Sequence, residues 1–347
     1  MILRLAMIGF GNVGQEFARL LLSKREWLLK QKGLDVEVLA ISTKNKGSLI
    51  SERALDLEKV LKTLSKEGSL RGYGPEQTAL GPDKIIDKCQ ADMMIELTTL
   101  DIESGQPAID HITNALESGM DVVTANKGPI AFAYDRLRSL SRSRGVHFRF
   151  EGTVMDGTPI FNLVERTLPG AEILGLEGIL NSTSNYVLSE MASGKTMDQA
   201  IAEAQRMGFA EADPSLDIDG WDAAVKITAL ANVLLEAALE PHKVERKGIR
   251  DIGPEEIKKA ATEGKKIKMI ARASFTGDKV ALSVRPELVS PESPLWAVDG
   301  TSSAITIRTD LMGDITVVES NPPATATAYA VFSDMLLIVE AIRAGTL

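Results

Sequence analysis

The stretch GFAEADPSLDIDGWDAAVKITALA, residues 208–231, places five carboxylates ahead of its only lysine. Asp222 and Lys226 stand four residues apart, so on a helix they share one face. A carboxylate so placed can hold a cationic amine through charge-assisted hydrogen bonds. A lysine so placed can exchange a proton with a reacting oxygen. Glu211 adds a carboxylate upstream. A plainer reading also fits: Asp219 caps the helix, Asp222 complements its dipole, and Lys226 is a counter-charge on the surface. Asp213, Asp217 and Asp219 read as turn, cap and solubility residues. A second lysine, Lys127, follows Asn126 in DVVTANKGPIA. It lies just past a strand's C-terminal end, the edge at which open α/β sheets bind ligands.

The element that would bring a redox partner to these lysines is GFGNVG, residues 9–14. It follows the apolar run LRLAMIGF and opens a helical spacing, the context that makes G-x-G-x-x-G informative. Gly9 allows the tight turn, Gly11 lets a pyrophosphate approach the backbone, and Gly14 lets helix and strand pack. The helix N-terminus supplies N–H groups and positive dipole to the phosphates. An NAD-specific site wants an acidic residue at the end of the second strand. Here that strand ends AISTKNKG, with Ser42 and Thr43 neutral and Lys44 and Lys46 following. These residues favour NADP(H) while admitting NAD(H).

Strands and helices alternate through the first part of the chain, which argues for a parallel sheet covered on both faces. Helices are predicted at 13–30, 54–66, 82–89, 106–118 and 130–144. Strands are predicted at 3–10, 35–43, 92–97, 121–124 and 146–150. After about residue 150 the rhythm changes. A strand at 170–180 precedes helices at 184–193, 196–207 and 220–238. Strands at 265–275 and 279–285, with two more between 303 and 319, make a hairpin-rich sheet. A last helix runs over 324–344. The fold class is therefore α/β, with a Rossmann-type doubly wound parallel sheet over 1–150. An α+β domain for substrate and dimerisation follows over 151–320, and the helix in 321–347 returns to the first domain.

The composition excludes several functions. The 347 residues carry a net charge of −9, which argues against a general nucleic-acid binder. One cysteine, Cys89, rules out a disulfide framework and a multi-cysteine metal site. Its place at a helix end suits packing, so a thiolate route through a thiohemiacetal fits poorly. The apolar start is too short for a secretory signal, and the run 223–239 is broken by Lys226, Asn232 and Glu236. A cytoplasmic enzyme without a membrane span follows.

Taken together, GFGNVG, TANKGPIA, EGTVMDGTPI, GILNSTSNYVL and the block at 208–231 resemble homoserine dehydrogenase, in order across residues 5–240. PPATATAYAVFSDML at 322–336 echoes the same family. The resemblance implies interconversion of L-homoserine and L-aspartate 4-semialdehyde, on the route to threonine, isoleucine and methionine. It implies that Lys226 donates the proton when the aldehyde is reduced and that Lys127 stands near the nicotinamide and the reacting oxygen. Glu211 and Asp222 would hold the substrate ammonium, and Thr183 would line the pocket. Cofactor contacts would come from Gly9, Phe10, Gly11, Asn12, Val13, Gly14, Ser42, Lys44, Thr98, Thr99, Asn126 and Lys127. A sodium ion would sit on backbone carbonyls at Glu151, Val154, Asp156 and Thr158. A homodimer is implied, and the ACT-type sensing domain of many relatives has no counterpart before Leu347.

Two departures stand out. NSTSN replaces the family's NGTTN, and Ser320-Asn321-Pro322 replaces a glycine turn before the last helix, a turn these residues cannot copy freely. The residues also leave open an amino-acid dehydrogenase of the aspartate dehydrogenase type and a non-catalytic NADP(H)-binding regulator.

Overall fold

The structure is a computed structural model and describes residues 1–346. Its contacts divide the chain into two units, Met1–Gly157 with the segment from Ala324 onward, and Thr158–Pro323. Among the described residues no helix is long and apolar enough to cross a membrane.

In the first unit, β1 (Ile2–Ile8) is apolar at nearly every position because it is buried on both faces. Strand side chains alternate, so Leu3, Leu5 and Met7 face one layer and Ala6 and Ile8 the other. The odd positions meet α1 (Asn12–Lys32) through Phe17 and Leu21. The C-terminal helix, Ala326–Ala344, joins that layer through Val331, Met335 and Ile338. β2 (Asp35–Ser42), β3 (Ser48–Ile50), α2 (Leu57–Glu67), β4 (Gln77–Thr78) and α3 (Pro82–Lys88) come next. They are followed by β5 (Met93–Glu96), α4 (Ala108–Glu117), β6 (Asp121–Thr124), α5 (Lys127–Arg144) and β7 (Phe148–Arg149). The even positions of β1 share a core with Ile85 of α3, Ile112 of α4 and Leu137 of α5.

The sheet order is β4-β3-β2-β1-β5-β6-β7. The five strands from β2 to β7 are parallel, as the alternation predicts. The edge departs from that expectation, because β3 and β4 run antiparallel. At three and two residues they are too short to show a period. The strand expected at 146–150 contracts to the two residues of β7.

The second unit contains α6 (Ile160–Thr167), β8 (Ile173–Ile179), α7 (Ser182–Ala192), α8 (Met197–Met207), α9 (Ser215–Ile218) and α10 (Trp221–Leu234). Then come β9 (Glu245–Arg246), α11 (Pro254–Thr262), β10 (Lys266–Thr276), β11 (Lys279–Val289), β12 (Ser303–Thr309) and β13 (Gly313–Glu319). The order β13-β12-β8-β10-β11-β9 is antiparallel except for the β9–β11 pair. Helices α7 and α10 pack on β10, over a core that includes Ile179, Ile270, Leu295 and Val298.

Three expectations need correction. Helix α10 stops at Leu234 rather than 238. Asn232 closes the loop beyond it, donating to the Leu239 carbonyl and accepting from its N–H, both at 2.9 Å. Glu236 and Ala238 take left-handed φ of 50° and 49°, which no helix can contain. Asp219 does not cap α10: the cap is Gly220 at φ 79°. Asp219 instead binds the Arg250 guanidinium, whose Nη2 lies 3.1 Å from Oδ2. The lost glycine turn is met by Asn321, which adopts φ 46°. Asparagine is among the few non-glycine residues that enter this region readily. The other departure is also accommodated, since Ser182 is the first residue of α7 and needs no glycine conformation.

Candidate active site

The glycine loop meets each steric demand of a dinucleotide cradle. Gly9 has φ 101°, and a Cβ there would fall 2.4 Å from the Leu97 carbonyl, so no other residue fits. A Cβ on Gly14 would press on the Gly9 oxygen at 3.0 Å. A Cβ on Gly11 would meet nothing, which leaves space for a phosphate to approach. Helix α1 begins with no side-chain cap and no acidic residue in its first turn, so its N-terminal N–H groups and dipole are available to an anion.

The neighbouring side chains divide by exposure. Phe10 is core at 2% exposed, Val13 packs beside it, and Asn12 is exposed. Ser42 is buried: its hydroxyl lies 3.3 Å from that of Ser48, and its carbonyl accepts from Gly9 N–H. Lys44 and Lys46 are exposed on a turn tied by Thr43, whose hydroxyl donates to the Gly47 carbonyl at 2.7 Å.

Thr98, Thr99, Asn126 and Lys127 gather at the C-terminal ends of β5 and β6. Asn126 caps α5, accepting from Gly128 N–H at 3.0 Å. Its amide reaches the Thr98 carbonyl at 3.1 Å and the Thr99 carbonyl at 3.5 Å. Lys127 is the first residue of α5. A cation at a helix N-terminus opposes the dipole, so a lysine there is not explained by helix stability.

In the second unit the structure brings Thr183, Asp222 and Lys226 together and adds two residues that sequence reasoning missed. Lys226 Nζ lies 2.8 Å from Asp222 Oδ2 and donates to the Leu180 carbonyl at 2.9 Å. Asn181, the cap of α7, donates to Asp217 Oδ1 at 2.6 Å and to Asp222 Oδ2 at 2.9 Å. Asp217 therefore belongs to the cluster rather than to a solvated turn. Burial, then the neighbouring Asp222, raise its carboxyl above the usual range, against opposing pulls from Asn181, Lys226 and Thr183. Two carboxylates held side by side over one amide make an acceptor pair for a cationic amine. A polar cap, Asn181, at the end of the apolar strand β8 was the available signal for this cluster.

Glu211 is exposed on the loop after α8 and, among the described residues, makes no hydrogen bond to this cluster. Its carbonyl accepts from Gln205, and among the described residues its carboxylate has no hydrogen bond or ion pair. Glu151 and Asp156 lie on two short 3-10 turns, Glu151–Thr153 and Met155–Gly157, Val154 is the extended residue between them, and Thr158 opens the second unit. Met155, Asp156 and Gly157 have consecutive positive φ of 45°, 47° and 94°. Cys89 is buried and its thiol is pushed up to about 11, mainly by burial, so it stays protonated and inert.

Comparison with known proteins agrees with both halves of this arrangement. Residues 9–151 match the family described as "Homoserine dehydrogenase, NAD binding domain", and residues 159–336 that described as "Homoserine dehydrogenase". The chain is 35% identical over 337 residues to the NAD(+)-dependent homoserine dehydrogenase of Pseudomonas canavaninivorans, covering 96% of each. A crystal structure of a putative homoserine dehydrogenase from Archaeoglobus fulgidus superposes with a TM-score of 0.86 at 34% identity, covering 97% of this chain and 99% of that one. A hyperthermophilic archaeal homoserine dehydrogenase in complex with NADPH superposes at 0.83 and 30% identity, with 98% of each covered. The chain belongs to the homoserine dehydrogenase family of NAD(P)-dependent oxidoreductases.

Proposed function

We propose that the protein interconverts L-homoserine and L-aspartate 4-semialdehyde with NADP(H) as preferred cofactor and a lysine as acid/base, supplying threonine, isoleucine and methionine synthesis. The observation that carries this reading is the cluster of Asp217, Asp222 and Lys226 around Asn181. The dinucleotide supplies hydride acceptance and donation. Asp222 and Asp217, together with Glu211 of the loop after α8, hold the substrate ammonium, and Thr183 lines the pocket. Lys226 takes the hydroxyl proton during oxidation and returns it during reduction, and Lys127 orients the reacting oxygen.

The NADP(H) preference rests on the absence of an acidic residue at the end of β2 and on exposed Lys44 and Lys46 beside it. Relatives differ: one is named for NAD(+), another is in complex with NADPH. Homoserine oxidation assayed with each dinucleotide is expected to give the lower KM for NADP, and Lys44→Glu to reverse the order. A wild-type preference for NAD would remove this part of the reading; no oxidation with either would remove the activity. A sodium ion on the carbonyls of Glu151, Val154, Asp156 and Thr158 and a homodimer belong to the same reading. In the same preparation, choline in place of sodium should lower the rate and light scattering should give two chains.

Asp217→Asn tests the carboxylate pair. A carboxyl whose folded pKa is raised binds more protons folded than unfolded between the two values. Its contribution therefore falls as pH climbs through that window and stays unfavourable at neutrality. The variant is expected to be more stable than wild type at pH 7, by about 0.5–2 kcal/mol, and to show a higher homoserine KM. Denaturant unfolding at pH 4 and pH 7 checks this, and a variant less stable than wild type at pH 7 would contradict it.

A further inference from the structure

A closed ring of hydrogen bonds lies beneath the residues that the proposed function assigns to the nicotinamide end of the dinucleotide. Glu96 ends β5 and is 0% exposed. Its Oε1 accepts from Thr98 N–H at 3.0 Å and also from the Thr98 hydroxyl. Its Oε2 accepts from the Thr124 hydroxyl at 2.9 Å. Thr124 Oγ1 in turn accepts from Asn126 N–H at 3.0 Å. Asn126 Nδ2 closes the circuit on the Thr98 carbonyl at 3.1 Å.

The direction of these bonds is fixed. Backbone N–H groups only donate, so Thr124 Oγ1 must accept from Asn126, and among the described residues its own hydrogen has only Glu96 as acceptor. At the other end Thr98 N–H also needs an acceptor. Both oxygens of residue 96 must therefore accept, which a carboxylate does and an amide cannot. The ring joins the loop after β5 to the loop after β6 just beyond the end of the β5–β6 ladder, whose last backbone link is Ala125 N–H to the Glu96 carbonyl at 3.3 Å.

Its output is the first turn of α5. Asn126 spends its amide on the ring and its Oδ1 on Gly128 N–H, so the helix that begins with Lys127 starts where the ring places it. A buried carboxylate with so few cationic neighbours is a costly strut. Its one ion-pair contact among the described residues is with the His111 imidazole, whose Nδ1 is 4.0 Å from Oε1 and, among those residues, has no hydrogen-bond partner. A hydrophobic residue would serve packing alone, and a leucine would match the rest of the strand MMIE.

We propose that Glu96 is a positioning residue: through Thr98, Thr124 and Asn126 it registers the β5–α4 and β6–α5 loops and so orients Lys127 and the nicotinamide-binding edge of the sheet. This rests on the reading of Lys127 and the dinucleotide site given above. Glu96→Gln and Thr124→Val each break one link of the ring, and Thr124→Ser restores it. The full-length variants are compared by NADPH fluorescence titration, by steady-state kinetics with homoserine and by thermal unfolding.

The expected result for Glu96→Gln and Thr124→Val is an NADPH Kd raised about tenfold, the loss of one directional hydrogen bond. kcat should fall comparably while homoserine KM moves less than twofold, and Thr124→Ser should behave as wild type. The double variant should be no worse than the poorer single one, because both open the same ring. Variants with lowered thermal midpoints but wild-type Kd and kcat would overturn the proposal and leave Glu96 a packing residue. Should Glu96→Gln fail to fold, the Thr124 pair decides alone. The Kd arm needs no turnover, so an inactive wild type would sink the proposed reaction while still reading the ring.

Discussion

Replacing Lys226 with alanine is expected to lower kcat for NADP-linked homoserine oxidation by roughly 10²–10⁴, the range for a positioned acid/base. The dinucleotide Kd should be unchanged, because the glycine loop and the β5 and β6 loops belong to the other unit. The geometry that motivates the experiment also supplies its rival. Lys226 is 2.8 Å from Asp222, so it could act only as that carboxylate's counter-ion. Lys226→Arg separates the two roles. Arginine keeps the charge and can pair with Asp222, but its guanidinium does not give up a proton in proteins. If Lys226 transfers the proton, the arginine variant stays as inactive as alanine while homoserine KM recovers towards wild type. If arginine restores kcat to within a fewfold, Lys226 is a counter-charge and the acid/base lies elsewhere, with Lys127 the next candidate. Alanine also leaves Asp217 and Asp222 side by side with less positive charge, so some loss of stability is expected. Denaturant unfolding of each variant shows whether the second unit, which carries Lys226, is folded in the protein assayed.

Where the sequence and the structure part company, the reasons are physical. The three glycines of GFGNVG were legible because each carries a separate steric requirement, and a side chain at Gly9 or Gly14 would strike backbone. The Asp222–Lys226 pair was legible because helical periodicity alone puts them together. Asp217 was not, because its part depends on Asn181, which comes 36 residues earlier on a different element. Glu96 hid as the last residue of an apolar strand. The usable signal was its charge, since a strand buried on both faces has no solvated side to put a glutamate on. The end of α10 was misjudged because the apolar pattern continues past Leu234, while the side chain of Asn232 holds the chain in a loop.

Lys268 shows the same limit. In the strand KIKMIARASFT nothing in the spacing separates it from Lys266, yet it is 1% exposed and is the second largest fully buried side chain among the described residues. Its ammonium donates to Asn185 Oδ1 at 3.0 Å, the Val298 carbonyl at 2.5 Å and Asp299 Oδ1 at 2.8 Å. Asn185 donates to the carbonyls of Val298, Gly300 and Ser302 at 3.1–3.2 Å. It stands one turn after Asn181, the cap of α7 that donates to both Asp217 and Asp222. Asn185→Leu keeps the branching of the side chain and removes every one of these bonds that Asn185 makes. The ammonium loses a neutral acceptor, and the Gly300 and Ser302 carbonyls lose their amide donor. At roughly 1–3 kcal/mol for each buried polar group left unmet, the variant is expected to lose about 3–5 kcal/mol of stability, against about 5–15 kcal/mol for a typical domain. Adding Lys268→Met should recover part of that loss, because an apolar pair replaces an ammonium stripped of its acceptor. Denaturant unfolding of the two single variants and the double closes the cycle. Additive losses would mean that Lys268 and Asn185 act independently. A double variant more stable than Asn185→Leu alone would mean that the buried lysine depends on the asparagine, and that the register of α7 beneath the carboxylates is set from the sheet.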